Sequence, residues 1–188
     1  MRDRNKEDQK EPYNLKKEII EWLKIIVVAA AIALFVNSFL IANSTVPSGS
    51  MENTIMTGDR IIGSRLAYKF GEEPERGDIV IFKHPIGPGE EETRLVKRVI
   101  GLPGETVDIR DNQVYINGSE TPLEEPYLHE PMNSEDYHFQ IPNDCYLMLG
   151  DNRNFSGDAR YWIDPYVSEK KILAKVLFRY FPNIQKIN

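Results

Sequence analysis

One stretch of the chain constrains its architecture more than any other. No charged residue lies between Lys24 and Glu52, and residues 25–42 are almost entirely aliphatic, with Asn37 and Ser38 as their polar interruption. As a helix this stretch would rise roughly 27 Å, which is close to the ~30 Å hydrocarbon thickness of a bilayer. We therefore predict a transmembrane anchor over residues 19–42.

Two other interpretations of this stretch stay open. A core helix would normally carry a polar stripe, and residues 27–36 carry none. A cleaved signal peptide is closer, because residues 39–44 end in small polar side chains. Against cleavage, the mature chain would then begin within the serine-containing segment that we consider below as the reactive site.

Basic residues predict the orientation of the anchor. Only Arg60 lies within about 20 residues after it, whereas several precede it: Arg2, Arg4, Lys6, Lys10, Lys16, Lys17 and Lys24. Because basic flanks stay on the cytoplasmic side, we predict a cytoplasmic tail over residues 1–18. Residues 43–188 then form an extracytoplasmic domain on the cell membrane.

Charge and cysteine content exclude several classes of function. A net charge of -6 argues against nucleic-acid binding, which needs a concentrated basic surface. The lone cysteine, Cys145, allows no intramolecular disulfide and belongs to no zinc motif. It lies in a hydrophobic run that is typical of a small core residue. We predict no metal and no organic cofactor, and the sequence leaves the oligomeric state undetermined.

The domain after the anchor is predicted to be mainly β. Turn signals separate short apolar runs, and the clearest predicted strands cover residues 78–82, 94–100, 145–149 and 172–181. Residues 106–109 and 113–116 flank Asp111 and Asn112, a pattern typical of a hairpin. Residues 119–138 are rich in proline and glutamate without periodicity, so we predict a small irregular insertion over about 105–145.

A candidate nucleophile follows the anchor almost at once. Ser48, Gly49 and Ser50 could simply form a flexible linker, and a functional reading needs a base for the serine. The three histidines, His84, His129 and His138, show no orienting carboxylate pattern, and the GxSxG motif is absent. A Ser-His-Asp triad stays open but has no local support.

Lysine is the other possible base. Lys97 lies between apolar residues, and on a strand it would share a face with Leu95 and Val99. Burial there would lower its pKa and so favour the neutral amine that a Ser/Lys dyad requires. The alternative is an edge-strand lysine that guards against aggregation.

A third cluster, residues 150–160, interleaves two aspartates and two arginines with turn-forming residues. It could be a solvated turn with surface ion pairs, or an ion-paired loop that holds catalytic groups in place. Composition does not decide between these interpretations.

Taken in order, four segments resemble the sequence boxes of the bacterial type I signal peptidases, in their short Gram-positive form (serine/lysine-dyad peptidase family S26). They are residues 47–55, 76–82, 97–104 and 150–160, and the resemblance spans residues 20 to about 180. It implies a signal-peptidase-like β catalytic domain with a small inserted subdomain, behind one N-terminal transmembrane helix. It also implies a serine endopeptidase that removes N-terminal signal peptides from exported preproteins.

The resemblance assigns roles position by position. Ser50 matches the nucleophile, Lys97 the general base, Ser48 an oxyanion-hole serine, and Ser156 a serine that orients the lysine. Met51, Ile55, Leu95 and Val96 match positions near the substrate pockets. Structural supports of the site correspond to Asp151, Arg153, Asp158 and Arg160.

Three positions depart from the family pattern: Asn53 where proline is usual, Glu105 where aspartate is common, and Ala159 in place of a frequent serine. The implied partners are preproteins with A-x-A-type cleavage sites and membrane lipid. Two alternatives are a self-cleaving repressor-like Ser/Lys peptidase, against which the anchor argues, and a catalytically weak, membrane-tethered signal-peptide-binding protein, against which the presence of Ser50 and Lys97 argues.

Overall fold

A computed structural model of the chain describes residues 15–87 and 89–187. Most of the predicted cytoplasmic tail, with Arg2, Arg4, Lys6 and Lys10, lies outside these residues. The chain divides into two compact units, one ending at Val36 and the other beginning at Asn37.

The first unit carries one long helix, α1 (Leu15–Phe35), which a π-helical turn (Val36–Leu40) extends. None of the α1 side chains is buried in the protein. The 26 residues from Leu15 to Leu40 are long and apolar enough to cross a membrane. An apolar helix with its whole surface exposed is stable only where lipid replaces water, so these properties fit the predicted anchor.

The second unit is mainly β, as predicted. Its strands are β1 (Ile41–Thr45), β2 (Arg60–Ser64), β3 (Ile79–His84), β4 (Thr93–Gly101), β5 (Thr106–Arg110), β6 (Gln113–Ile116), β7 (Tyr137–Gln140), β8 (Cys145–Leu149), β9 (Tyr166–Ser168), β10 (Ile172–Phe181) and β11 (Gln185–Lys186). The larger sheet has the order β1-β2-β10-β3-β4-β8-β9, with β11 paired to β10, and the smaller has the order β6-β5-β7. All pairings are antiparallel.

The predicted hairpin between β5 and β6 is confirmed. Asp111 and Asn112 both have positive φ, 51° and 60°, which is the backbone that a tight two-residue hairpin turn needs and that Asp and Asn tolerate best. The predicted strands β3, β4, β8 and β10 are also present.

Five short strands are absent from the sequence prediction: β1, β2, β7, β9 and β11. The sequence of β1 continues the apolar run of the helix, so hydrophobicity alone does not separate them. The β7 strand lies partly in the stretch predicted as a loop, and it pairs with β5 to complete the three-stranded sheet. Because only one of the four residues of β7 is buried, pairing with a strand distant in sequence, rather than local composition, determines its conformation.

The buried side chains form two clusters. The large cluster includes Val80, Phe82 and Val99, and Cys145 packs against it as predicted for a core residue. The small cluster includes Met51, Ile55 and other buried apolar residues: Ala42, Val46, Ile61, Ile79, Ile81, Ala174, Val176 and Ile187. Successive residues of β3 belong to different clusters, so the two clusters lie on opposite faces of this strand.

The larger sheet has open edges at β1 and along the first half of β4, besides the edge of its terminal strand β9. Among the described residues, β1 pairs with β2 alone. On β4, residues 93–97 pair with β3, and pairing with β8 starts only at Arg98. Each edge therefore presents backbone N–H and C=O groups to a further strand.

Candidate active site

Ser50 lies on a short 3-10 turn, Gly49–Met51, which we call the Ser50 turn. Its side chain is 8% exposed. Its hydroxyl oxygen lies 3.4 Å from the hydroxyl oxygen of Ser48, the residue that precedes the turn in an extended conformation. Two hydroxyls are thus adjacent in a partly buried environment, and the linker interpretation of this segment is wrong.

Lys97 lies on β4, which contacts the Ser50 turn. It is only 2% exposed, so it is not an exposed lysine guarding a sheet edge. Its cross-strand neighbour Val80 and its strand neighbour Val99 both belong to the large cluster, as the alternation on β4 predicts.

Burial lowers the pKa of Lys97 from 10.5 to about 8, because the apolar surroundings penalise the charged ammonium. Asp158 and Asp151 oppose this effect, and Arg160 adds to it. The charges around the amine thus come from residues 150–160, which shows that this loop lies beside Lys97.

The same loop also contacts the Ser50 turn. Asn152 donates two hydrogen bonds to it, from its backbone N–H to the Ser50 carbonyl (3.1 Å) and from its side-chain amide to the Gly49 carbonyl (2.9 Å). A Cβ atom on Gly150 would overlap the hydroxyl of Ser156 and the carbonyl oxygen of Ser50. Only glycine therefore fits between them, and Ser156 lies within a methyl group's reach of the Ser50 backbone.

Ser156 is 5% exposed, and its hydroxyl has no hydrogen-bond partner among the described residues. An unsatisfied buried hydroxyl is unfavourable by roughly 1–3 kcal/mol. A hydrogen bond to the Ser156 hydroxyl would remove that cost. The Lys97 amine, next to the same loop, is a group that could form one.

Asp151 connects three segments of the site. Both its carboxylate oxygens accept from the Arg98 guanidinium, at 2.9 and 2.7 Å, and one also accepts from the Thr54 hydroxyl at 2.6 Å. Arg98 donates further to the Gly77 carbonyl and lies 3.9 Å from the centre of the Tyr127 ring. Side chains of the Arg98–Asp151 pair are 3% and 0% exposed, so the pair is fully desolvated.

Asp158 and Arg160 form a second buried pair, with N–O distances of 2.8 and 2.9 Å. Asp158 also accepts from the Gly150 N–H, and Arg160 donates to the Arg153 carbonyl. Arg153 itself donates to the Gly150 carbonyl. These bonds close the loop on itself and fix its backbone, so the solvated-turn interpretation of residues 150–160 is wrong.

The predicted substrate-pocket residues divide between the two clusters. Met51 and Ile55 are fully buried in the small cluster, and Val96 packs against it. Leu95 packs against the large cluster instead, because adjacent residues of β4 point to opposite faces.

The histidines lie apart from Ser50 in the hydrogen-bond network. His84 is buried, with its ring 4.2 Å from that of Trp162, and His138 contacts Asp108 on the smaller sheet. His129 is exposed in the segment between β6 and β7. Across residues 15–87 and 89–187, no recorded hydrogen bond joins a histidine to either serine of the site.

Sequence reasoning missed several supporting residues. Glu125 forms a two-point ion pair with Arg153, at 2.6 and 2.9 Å, and Tyr127 lies under Arg98. Both belong to the stretch without periodicity, where no pattern indicates which side chains turn inward. Arg98 and Thr54 lie within the segments 97–104 and 47–55 that were singled out from the sequence. The need of a buried Asp151 for hydrogen-bonding partners could have identified them.

Comparisons with known proteins show which family the chain resembles. The family described as Signal peptidase, peptidase S26, matches residues 19–181. A signal peptidase I of Leptolyngbya laminosa is 37% identical, over 87% of this chain and 80% of that protein. Signal peptidase IB of Staphylococcus aureus is 34% identical, over 89% of this chain and 92% of that protein. A crystal structure of a signal peptidase I from Enterococcus faecalis is 34% identical, covering 55% of this chain and 97% of that chain, with a TM-score of 0.46.

Proposed function

The chain belongs to the signal peptidase family, peptidase S26, and we propose that it removes signal peptides from preproteins with Ser50 as nucleophile and Lys97 as general base. One observation carries the proposal. Lys97 is a buried lysine, its pKa is lowered to about 8, and its strand contacts the turn that bears Ser50. A lysine of this kind is neutral often enough near neutral pH to accept a proton.

The reaction proceeds by acyl transfer. Neutral Lys97 accepts the proton of the Ser50 hydroxyl, and the serine oxygen attacks the carbonyl carbon of the scissile peptide bond. The tetrahedral intermediate collapses as the leaving amine takes a proton from Lys97, and an ester forms on Ser50. Water, deprotonated by the same amine, then hydrolyses the ester and restores both side chains.

Ser48 and the Ser50 turn stabilise the developing negative charge. The Ser48 hydroxyl is 3.4 Å from the Ser50 hydroxyl, and the backbone N–H of Ser50 belongs to the same turn. Two donors aimed at the position of an oxyanion form the hole that acyl transfer needs. The Ser156 hydroxyl, buried without a partner in the described part of the chain, orients the Lys97 amine.

The substrate lies extended along the open edges of β1 and β4. Backbone hydrogen bonds to such edges hold a peptide as an added strand. Next to the Ser50 turn, Met51 and Ile55 are completely buried, so the apolar surface that they offer is shallow. It accepts small side chains at the first and third positions before the cut, as in an A-x-A-type cleavage site.

The anchor keeps the enzyme on the surface where its substrates emerge. Lys16, Lys17 and Lys24 flank the beginning of the apolar segment, and this excess of basic residues supports a cytoplasmic N-terminus and an external β domain. Confinement of enzyme and preprotein to one membrane raises their effective concentration. The alternative of a non-catalytic signal-peptide-binding protein gains no support, because both dyad residues are present and the reported relatives are named as peptidases.

The proposal is tested with the full chain in detergent and a preprotein that carries an A-x-A site. Ser50→Ala and Lys97→Ala should each lower kcat by at least about 10³-fold. Lys83→Ala removes an exposed lysine from the neighbouring strand β3 and serves as the matched control with unchanged kcat. Cleavage that survives Lys97→Ala would refute the dyad. A wild-type chain that is folded but inactive on several such substrates would favour the non-catalytic signal-peptide-binding protein.

A further inference from the structure

A polar cavity of about 440 Å³ lies at the start of the β domain, and none of its lining residues has a role in the chemical steps proposed above. It collects residues from five separate parts of the chain. Asn37 contributes from the end of the apolar segment, Ile41 and Asn43 from β1, Arg60 and Arg65 from β2 and the residue after it, Arg94 from β4, and Tyr180 from β10.

The cavity concentrates positive charge. Three of its lining residues are arginines and none is an aspartate or glutamate. Among the described residues, none of these arginines forms an ion pair. In a chain with a net charge of -6, three guanidinium groups without carboxylate partners around one cavity indicate a site for an anion from outside the chain.

Two of the guanidinium groups are held in position by neutral groups. Arg65 donates from its Nε to the Ile41 carbonyl at 3.0 Å, which leaves its two terminal nitrogens for a ligand. Arg60 lies 5.5 Å from the centre of the Phe181 ring. Both guanidinium groups are therefore oriented by neutral groups, and no carboxylate neutralises their charge.

Strand alternation turns part of this cavity away from the small cluster. On β1, Ala42 is buried in that cluster, whereas Asn43 lines the cavity, so these two side chains lie on opposite faces of the strand.

The covalent chain determines what can reach the cavity. Asn37 belongs to the 26-residue apolar segment, and Ile41 follows its last residue directly. A site lined by both residues is within a few residues of the end of a membrane span, at the depth where lipid headgroups lie. Phosphate groups are there at high local concentration, and guanidinium binds phosphate by two parallel hydrogen bonds.

We propose that Arg60, Arg65 and Arg94 bind the phosphate of an anionic phospholipid headgroup. An acidic peptide segment is the competing ligand, but the connection to the membrane span favours the lipid. The inference does not depend on the roles assigned to Ser50 and Lys97.

The test measures lipid retention by the purified full chain in a neutral detergent. Native mass spectrometry compares bound phosphatidylglycerol with bound phosphatidylcholine for the wild type and for the triple variant R60Q/R65Q/R94Q. The matched control is K69Q/K170Q/K186Q, which removes the same charge from exposed lysines outside the cavity. Each arginine should contribute about fivefold to phosphatidylglycerol affinity, so the triple variant should lose about 100-fold and the control should lose far less.

Three results would overturn the proposal. Equal retention of phosphatidylglycerol by the wild type and the triple variant would remove the site. Equal losses in the triple variant and the lysine control would reduce it to general charge attraction. Stabilisation by inorganic phosphate, equal to that by phosphatidylglycerol in an unfolding experiment, would assign the cavity to a free anion.

A single variant guards against misfolding of the triple variant. Arg94 is exposed and, within the described part of the chain, makes no recorded hydrogen bond, so R94Q should fold as the wild type does. It should weaken phosphatidylglycerol retention about fivefold with no change in phosphatidylcholine retention. A different result would overturn the proposal. If R94Q retains lipid as the wild type does but cleaves more slowly only those preproteins that have acidic residues before the cut, the arginines bind the substrate instead of a lipid.

Discussion

Two sets of buried polar side chains meet in this domain, and they differ in how completely they are hydrogen-bonded. The reactive set has few partners: Ser50, Lys97 and Ser156. The ion-pair set is densely bonded: Arg98, Asp151, Arg153, Asp158 and Arg160. Both lie on the same short segments, since Lys97 is next to Arg98 and Ser156 lies between Arg153 and Asp158.

The difference shows how one loop combines rigidity with reactivity. A desolvated ion pair joined by two hydrogen bonds has one geometry, and breaking it is expensive. A desolvated lysine or hydroxyl without such bonds keeps its capacity to exchange protons, at a cost in stability. The ion-pair set therefore holds the backbone that positions the reactive set, and the reactive set remains chemically available.

The largest expected effect comes from breaking the ion-pair set. Asp151→Ala leaves the Arg98 guanidinium buried without its carboxylate, which should lower the free energy of unfolding by about 3–5 kcal/mol. Chemical unfolding of the full chain in a neutral detergent measures this change. Asp108→Ala is the matched control, because Asp108 pairs with the exposed His138 and should change stability by less than about 1 kcal/mol. Similar losses in both variants would contradict the comparison.

Replacing the reactive lysine should have the opposite sign. Lys97→Met should abolish cleavage yet raise the free energy of unfolding at pH 7 by about 3 kcal/mol, since burial lowers the pKa of Lys97 from 10.5 to about 8. Between those values the unfolded state holds a proton that the folded state releases. Wild-type stability therefore increases with pH in this window, and the advantage of the methionine variant should disappear above about pH 10.5.

Unfolding curves at several pH values measure this effect, with Lys83→Met as the exposed control that should change little. A methionine variant less stable than the wild type at pH 7 would mean that the attraction of Asp158 and Asp151 for the ammonium outweighs its desolvation.

Ser156→Ala sharpens the comparison within one loop. The hydroxyl has no recorded partner in residues 15–87 and 89–187, so its removal should raise the free energy of unfolding by about 1–3 kcal/mol. If it orients the Lys97 amine, kcat should fall about tenfold with KM unchanged. Steady-state kinetics and an unfolding curve on the same preparation separate the two readouts, and a large stability loss with unchanged kcat would reverse the assignment.

The smallest effect is that of pH on the wild type. In the proposed mechanism only the neutral Lys97 amine accepts the serine proton, and burial lowers the pKa of Lys97 to about 8. The rate of cleavage should therefore rise about fivefold from pH 7 to pH 8 and level off above pH 9. A rate that already levels off near pH 6.5 would point to a histidine base.

The parts of the fold that sequence predicts are those with strong local patterns. The apolar helix, the long strands β3, β4, β8 and β10, and the hairpin at Asp111 and Asn112 each carry their own signal. By contrast, β7 and β9 depend on partners distant in sequence, and β1 shares its hydrophobicity with the preceding helix. Burial of Lys97 was an expectation from its neighbours, and only the fold shows that Val80 covers it from the next strand.

The candidate site was predictable in its segments and less so in its connections. Resemblance identified the serine, lysine and loop positions, whereas the pairing of Asp151 with Arg98 and of Arg153 with Glu125 follows from tertiary packing. Glu125 lies in a stretch where composition indicates only a loop. Such a stretch has no periodicity from which an inward-facing carboxylate could be read.

The open edges of β1 and β4 limit which features of a polypeptide the domain can recognise. An edge recognises the repeating amide groups that every polypeptide shares, so it gives no preference for one sequence over another. Selectivity then depends on the few positions where a side chain must be small and on where the chain leaves the lipid. A catalyst built in this way can serve a large population of unrelated clients, and its errors should be in the position of the cut more often than in the choice of protein.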